Sequence, residues 1–382
     1  MIFTDCSKEA FSWLLNPCYN TTMSWLGYTL VYLAPLLTFC SYWGGNLYYG
    51  LMFLLTFGLI PLFDEWLGDD WVNPQPEQEK TLKKTALYSW VLYGFVPVQI
   101  GLLLWACFLV SRPTESLGRW LGLLFMVGMI NGGFSINIAH ELSHRKNKLE
   151  QNLAKLLWFR VGYMHFQIEH LLGHHPRMGT PEDHATARLG ESLYQFYARC
   201  IPGSFVSAWQ IEKERLKQKG YAVVSWHNQM FWFIGLPLIF CGVLYGLWGW
   251  QASLFYFLQA LIAIFTLETV NYLEHYGLER RQSAGRYEKI GLQHSWNSSR
   301  RLSNYFLHKL QRHSDHHLYA HRPYQILRAF PEAPQLPTGY GWMVLLAFLP
   351  PLWYRIMNPR VLACRQREET SQSCEPQAEL LA

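Results

Sequence analysis

The chain is poor in charge. Only 15% of its 382 residues are Asp, Glu, Lys or Arg, while 50% are hydrophobic, a balance that disfavours a soluble globular protein. Its eight cysteines include no CxxC pair, which argues against a disulfide framework, an iron–sulfur module or a zinc ribbon. The N-terminus, MIFTDCSKEA, lacks a basic segment followed by an apolar one, so we expect no cleaved signal peptide.

Long apolar stretches are abundant. About 20 apolar residues suffice to cross a bilayer, and six stretches qualify: 23–43, 46–65, 86–110, 119–139, 231–250 and 251–270. A weaker stretch at 341–357 is broken by Pro350 and Pro351, so we expect an interfacial or cytoplasmic element there. The sequence therefore predicts an all-α integral membrane protein with six transmembrane helices.

Lysine and arginine indicate the orientation, because they accumulate on the cytoplasmic side of a membrane protein. With both termini inside, all of the 32 basic residues except Arg112 and Arg119 fall on that side. The predicted layout is an interfacial segment 1–22, transmembrane helices over 23–139, a cytoplasmic region 140–230, two further spans over 231–270, a cytoplasmic region 271–358 and a disordered tail 359–382.

Nine of the 15 histidines fall in four short motifs. The motifs are HELSHR, EHLLGHH, NYLEHYGL and LQRHSDHH, which contain His140, His144, His170, His174, His175, His275, His313, His316 and His317. Spacings of three and four residues place imidazoles on one helix face, where such crowding is costly unless a cation binds the rings. Spans four and six end on the same side, so we expect all nine to meet there. Nine ligands are too many for one ion, which predicts a dinuclear metal site.

Further candidates surround these motifs. Carboxylates and one more histidine could orient the ligating imidazoles: Glu141, Glu169, Glu274, Asp315 and His294. Glu268 and Asn271 share a helix face with His275, and an ionisable residue at membrane depth is a candidate catalytic group. On span four, Gly133, Ile136 and Asn137 should line a cavity that leads to the metals. The remaining histidines are interpreted as packing or surface residues: His165, His184, His227, His308 and His321.

In order and spacing, the four histidine motifs resemble those of the membrane-bound alkane 1-monooxygenases (AlkB-type alkane hydroxylases), in the desaturase-like non-haem diiron superfamily. The segments GTPEDHATARLGES at 179–192 and HSWNS at 294–298 resemble that family too. Two departures are His184 in the first of these segments and Arg145, where the family usually has lysine. The resemblance implies that the nine histidines hold two iron ions and that a medium-chain linear alkane is hydroxylated terminally with O2.

The resemblance also implies the partners and the location. Electrons would come from rubredoxin and its NAD(P)H-dependent reductase, and the absence of CxxC pairs predicts that the rubredoxin is a separate protein. The enzyme would lie in the bacterial inner membrane among lipids, with no nucleic-acid partner. Because rubredoxins are typically acidic, we expect docking on basic residues near the motifs: Arg145, Lys146, Lys148, Arg300, Arg301 and Arg312.

Other functions remain open from the residues alone. A membrane fatty-acyl desaturase or hydroxylase, or a xylene-type monooxygenase, also uses clustered histidines. HELSH fits the HExxH motif of a zinc protease with Glu141 as base, although that leaves seven histidines unexplained. A metal carrier would place ligands along a transmembrane path, whereas these motifs are predicted to gather at one face.

Overall fold

The computed structural model describes residues 24–373, which are predominantly helical. Its α-helices are Trp25–Tyr28, Leu33–Gly44, Leu51–Phe53, Ile60–Leu67, Pro76–Lys84, Leu87–Val110, Leu117–Ile130, Ile136–Ser143, Lys148–Arg160, Phe166–Ile168, His175–Arg177, Leu193–Gln218, Gln229–Trp248, Trp250–His275, Arg301–Phe306, His313–Leu318, Tyr340–Ala347 and Pro350–Ser373. The 3₁₀-helices are Thr29–Tyr32, Asn46–Gly50, Leu292–His294 and Tyr324–Ile326. The π-helices are Leu54–Leu59, Asn131–Ser135 and Glu169–His174. Strands Gln282–Ser283 and Arg286–Tyr287 pair antiparallel as a hairpin.

Within residues 24–373, five helices are long and apolar enough to cross a membrane. They are Tyr48–Leu67, Leu87–Val110, Leu117–Ser143, Gln229–Trp248 and Trp250–His275. The protein is therefore a helical membrane protein, as predicted. The first expected span is helical through Trp25–Tyr28, Thr29–Tyr32 and Leu33–Gly44, but it is not among these five, so its crossing of the bilayer stays a prediction.

Helix Trp250–His275 lies at the centre of the bundle, against Leu117–Ile130, Gln229–Trp248 and Leu87–Val110. Glycine allows one of these contacts to be very close, because a Cβ at Gly128 would lie 2.7 Å from Ile262. Small residues commonly permit such contacts between membrane helices. The contact aligns the two spans whose ends carry His140 and His275.

The C-terminal segment differs from the predicted disordered tail. The last helix begins at Pro350 and continues to Ser373. Val361 is buried against Gly277, and the Arg365 guanidinium donates to the Gly277 carbonyl at 2.7 Å. Apolar and hydrogen-bonding contacts thus order a segment whose polar composition suggested disorder. The predicted interfacial segment 1–22 and the end of the tail, residues 374–382, lie outside the described residues.

Candidate metal centre

Two compact groups of four imidazoles lie at the ends of spans Leu117–Ser143 and Trp250–His275. In each group the candidate ligand atoms all lie within 4.8 Å of one another. The first histidine group consists of His140, His144, His170 and His316. The second histidine group consists of His174, His275, His313 and His317. The four sequence motifs therefore meet, and each group offers the four ligands that one metal ion commonly takes.

The ninth histidine lies between the two groups. The His175 ring centroid is 4.6 Å from that of His170 in the first group and 4.5 Å from that of His317 in the second. The π-turn Glu169–His174 accounts for this position. An α-helix rotates about 100° per residue, which would turn His175 away from His170. The wider π-turn rotates less per residue and brings both rings to one side.

The ring nitrogens of these groups are arranged as a cation would require. Their Nε2 atoms face one another: His140–His316 at 2.8 Å, His144–His170 at 2.9 Å and His275–His313 at 3.0 Å. A ring nitrogen of a neutral imidazole carries either an N–H or a lone pair, so the Nε2 of His170, which faces both His144 and His175, cannot make a good hydrogen bond to each. These residues therefore fit a metal site, because a cation between the lone pairs would satisfy them.

Two rings of the second group have a carboxylate behind them. The Nδ1 atom of His174 lies 2.9 Å from Asp183 Oδ2, and that of His313 lies 3.2 Å from Glu274 Oε1. An Nδ1–H donor to a carboxylate leaves Nε2 as a lone-pair ligand. Consistent with this, the buried Nε2 of His174 has no hydrogen-bond partner among the described residues.

Burial controls the electrostatics of the groups. It lowers the pKa of His170 and His316 well below the usual value, and repulsion from neighbouring imidazoles adds to the effect. Burial also opposes protonation of His174, but the Asp183 carboxylate outweighs it and raises the pKa of His174. In turn, His174 holds the pKa of Asp183 below its usual value against the effect of burial. Most of these rings are therefore neutral at pH 7, the form that binds metals.

The other residues expected to orient imidazoles have different partners. Glu141 pairs with Arg145 at 2.6 Å, and Asp315 accepts from Arg322 and from the Arg328 backbone N–H. His294 lies 3.0 Å from Glu288, which occupies its Nε2. None of these side-chain contacts is to a ring of either group, and the expectation that these three residues orient ligating imidazoles stays a prediction. Glu169 is buried next to the π-turn, and burial raises its pKa to about 7.

Asp183 is the functional residue that sequence reasoning missed. It lies in the segment GTPEDHATARLGES, and its Oδ2 also accepts from the Thr186 hydroxyl at 2.6 Å. The neighbouring His184 packs on Gly203 outside both groups, and its carbonyl accepts from Arg199. The resemblance of this segment to the family was the available signal, but it did not single out Asp183.

Glu268 is completely buried on helix Trp250–His275 and accepts three hydrogen bonds. Its donors are the Tyr163 hydroxyl at 2.9 Å, the Cys200 thiol at 3.0 Å and the Asn271 amide at 3.0 Å. Of the two residues predicted to be catalytic, Asn271 lines the cavity beside the histidines, and Glu268 is not among the residues that line it. The catalytic role of both residues stays a prediction.

A cavity of about 50 Å³ reaches one imidazole of each group, His140 and His313. Gly133, Ile136 and Asn137 line it, at the positions expected for the substrate channel. A Cβ at Gly133 would meet nothing within 4 Å, so this glycine leaves the cavity open. The space is small, and both apolar and polar side chains line it.

Two further cavities adjoin this one. An apolar cavity of about 70 Å³ shares Gly133 and Leu307 with it. A larger cavity of about 380 Å³ shares Ile60 and Phe306 with the second. Three half-exposed side chains line this last cavity at the outer surface of the bundle: Leu33, Leu59 and Phe63. The three cavities therefore lie in succession from the histidines towards the outer surface of the bundle.

Histidines expected to be packing or surface residues lie outside both groups. His165 packs on Tyr163 and Phe205, His227 stacks on Tyr221, and His308 lies between Tyr28 and Tyr324. His321 Nδ1 lies 2.9 Å from the His144 carbonyl. Among residues 24–373, these rings are not members of either candidate metal group.

Comparison with known proteins first gives the class. Residues 116–356, more than half of the chain, match the family described as fatty acid desaturase. Alkane 1-monooxygenase 2 of Pseudomonas aeruginosa is 40% identical over 93% of this chain and 97% of its own length. Alkane 1-monooxygenase of Acinetobacter baylyi is 41% identical over 85% of this chain and 80% of its own length. The chain belongs to the alkane 1-monooxygenase family.

A more distant relative has a different substrate in its name. The hydroxylase component XylM of the Pseudomonas putida xylene/toluene monooxygenase is 28% identical over 89% of this chain and 90% of its own length. Because this chain is less similar to XylM than to the alkane enzymes, the comparison favours the alkane enzymes over the xylene-type alternative.

Proposed function

We propose that this protein catalyses the O2-dependent terminal hydroxylation of medium-chain linear alkanes. The observation that carries the proposal is the small, mostly apolar cavity that reaches His140 of one histidine group and His313 of the other. Two four-histidine sites can hold two metals, and imidazole suits iron. The names of the relatives support the alkane substrate, and the resemblance of the histidine motifs implies iron. Overall, alkane, O2, two electrons and two protons give a 1-alkanol and water.

The bound irons would supply the reduction of O2 and the oxidation of the C–H bond. The chain's own residues set the geometry for this chemistry. Asp183 and Glu274 orient His174 and His313, so that Nε2 of each faces the metal position. The Tyr340 hydroxyl donates at 2.8 Å to Glu274 Oε1, the same oxygen that lies next to His313 Nδ1, and so helps to hold this carboxylate in place.

Selectivity for the terminal carbon would come from the cavity walls. An alkane offers no polar handle, so its binding depends on apolar area, at roughly 25 cal/mol per Å². Terminal C–H bonds are stronger than internal ones, and a loose site would therefore oxidise internal carbons. We infer that the small space beside Gly133 and Ile136 admits the chain end first, which favours the 1-alkanol.

The cellular setting is part of the same proposal. Both termini would lie in the cytoplasm of a bacterium and the helices in its inner membrane, in line with the basic residues of the cytoplasmic regions. The electron donor would be a separate rubredoxin, reduced by an NAD(P)H-dependent reductase. Alkanes dissolve in the bilayer, so the cavity at Leu33, Leu59 and Phe63 would be the entry from lipid.

The HExxH protease alternative is disfavoured by Glu141. A general base must reach a metal-bound water, yet the Glu141 carboxylate is paired with Arg145 and accepts from the Tyr324 backbone N–H at 3.2 Å. In addition, His140 and His144 group with His170 and His316 from other motifs, which a two-histidine site does not require.

Product analysis tests the proposal. Purified protein in lipid, supplied with rubredoxin, its reductase, NAD(P)H and O2, should convert octane or dodecane almost entirely into the 1-alcohol. Elemental analysis should give about two irons per chain, one for each four-ligand group. Secondary alcohols as the main products would overturn the terminal selectivity. Alkenes would indicate a desaturase, and zinc without alkane oxidation would indicate a hydrolase.

A further inference from the structure

A polar cavity lies next to Asp183, the carboxylate partner of His174 in the second histidine group. Its volume is about 430 Å³, and its walls come from the loop Gly179–Leu189 and the segment Glu279–Tyr287 that contains the β-hairpin. The two walls are tied together, since the Arg280 backbone N–H donates to the Gly179 carbonyl at 2.7 Å. The hairpin follows helix Trp250–His275 and so lies beyond the membrane-spanning part of the chain.

One residue that lines this polar cavity is hydrogen-bonded to a histidine of the second group. Asp183 lines the cavity, and its Oδ2 is 2.9 Å from Nδ1 of His174. The opposite ring nitrogen of His174 faces the second histidine group. Asp183 and His174 therefore form a short, buried connection between the cavity and a metal position.

The rim of the cavity is basic. Three exposed cations on or beside its walls have no ion-pair partner in the described part of the chain: Arg188, Arg286 and Lys289. Two more arginines line the cavity: Arg280, which donates to backbone carbonyls, and Arg365, which pairs with Glu279 at 3.1 Å. We name this surface, formed by Arg188, Arg280, Arg286, Lys289 and Arg365, the hairpin face.

The basic residues expected from the sequence to form a docking surface are mostly occupied. Arg312 is 1% exposed and pairs with Asp70, so it cannot contact a partner protein. Arg145 pairs with Glu141, and Arg300 pairs with Glu65 and Asp69. Of that predicted set, Lys146 and Lys148 are the cations that the structure leaves exposed.

We propose that the hairpin face docks the acidic surface of a small one-electron donor protein, and that electrons reach the metals by way of Asp183 and His174. This inference rests on the proposed function. In each transfer the donor is oxidised by one electron and the metal centre is reduced by one, and two transfers with two protons complete one turnover. Small, charge-complementary interfaces are typical of electron-transfer pairs and weaken as salt rises.

Charge reversal on two basic surfaces tests the docking site. The hairpin variant is Arg188→Glu with Lys289→Glu, and the matched control is Lys146→Glu with Lys148→Glu, which changes the net charge equally. Each protein, loaded with metal in lipid nanodiscs, is titrated with a purified rubredoxin at low and high salt. Stopped-flow absorbance then gives the rate of metal reduction by reduced rubredoxin, and by dithionite as a donor that needs no docking.

The hairpin variant should bind rubredoxin about tenfold more weakly at low salt and should lose most of the salt dependence. Its reduction by rubredoxin should slow in parallel, while reduction by dithionite stays at the wild-type rate. The control should remain within about twofold of wild type in every measurement, because its charges lie on another surface.

Four results would overturn the inference. Loss of binding in the control alone would place the docking surface beside Lys146 and Lys148. Equal loss in both variants would reveal a dependence on net charge without a defined site. If the wild type binds rubredoxin and neither variant changes that binding, the hairpin face is rejected and the hydroxylase proposal still stands. If the wild type does not bind rubredoxin at all, both the partner and its docking surface are rejected.

Discussion

In the second histidine group two imidazoles have buried carboxylate partners, whereas the described residues give no ring of the first group such a partner. His174 pairs with Asp183 and His313 with Glu274. A carboxylate fixes the ring, selects its tautomer and makes its free nitrogen more basic. The two candidate metal positions are therefore unequal, and the second should bind its ion more tightly than the first.

Removal of a ligating imidazole should have the largest effect on activity, and it should affect the metal of one histidine group at a time. His316→Ala opens the first group and His313→Ala the second, because each substitution removes one of four imidazoles. Each variant should retain about one iron per chain and lose at least about 100-fold in activity, since both ions are needed. Elemental analysis and octane turnover check this. Full activity in either variant would break the assignment of that histidine as a ligand.

Loss of a carboxylate partner should weaken metal binding only in the second histidine group. Asp183→Asn should lower the affinity for the second iron about 10- to 100-fold, because the amide no longer stabilises the ring in its ligating form. Competition with a chelator measures this affinity. The control is Glu182→Gln, an exposed neighbour that should leave metal binding unchanged. Equal loss of both ions in Asp183→Asn would show that the groups are not unequal.

The cavity that contacts one histidine of each group should set the accepted chain length. Gly133→Phe would fill space that is open within 4 Å of the glycine, so the longest alkane oxidised should shorten by several carbons. The matched control, Gly242→Phe, places the same ring at an exposed position of helix Gln229–Trp248. Turnover of alkanes from hexane to hexadecane gives the comparison. An unchanged range in Gly133→Phe would exclude this cavity as the substrate channel.

Glu268 should affect turnover more than folding. In Glu268→Gln the amide keeps the size of the side chain but cannot accept all three hydrogen bonds from Tyr163, Cys200 and Asn271. We expect activity to fall several-fold through displacement of Asn271 in the cavity, with the iron content unchanged. Kinetics and elemental analysis distinguish this from ligand loss. Wild-type kinetics would make Glu268 a structural residue.

Substitution of His308, a histidine outside both groups, should have the smallest effect on metal binding. His308 is fully buried, and neither ring nitrogen has a hydrogen-bond partner among the described residues. Burial lowers the pKa of His308 to about 3, below the value of about 6.5 in an unfolded chain. The folded state therefore resists protonation, so stability present above pH 6.5 is lost as the pH falls towards 3, by about 1.4 kcal/mol per unit.

His308→Phe should remove that part of the acid sensitivity and leave metal binding intact, because its ring packs between Tyr28 and Tyr324. Thermal unfolding measured at intervals from pH 7.5 to 5 checks the slope. A slope equal to that of the wild type would show that His308 is protonated in the folded protein.

The histidine groups were predictable because their spacing is local and their number is high. The spacing of the histidines predicted that their rings share helix faces. The positions of the spans predicted that these faces lie on the same side of the membrane. The partners were less predictable, since Asp183 reaches His174 only through a loop, and the π-turn that turns His175 inward has no simple sequence pattern. Arg312 shows the same limit, because its burial depends on Asp70, far away in the sequence.

The single residue between the last two spans has a consequence for biogenesis. Gly249, with a φ of 81°, joins Gln229–Trp248 to Trp250–His275 without a loop. Two helices connected so tightly can enter the bilayer together as a hairpin, and the strongly apolar first helix can offset the cost of inserting the Glu268 end of the second. The helix that carries Glu268 and His275 could thus reach its position in the membrane before any metal binds.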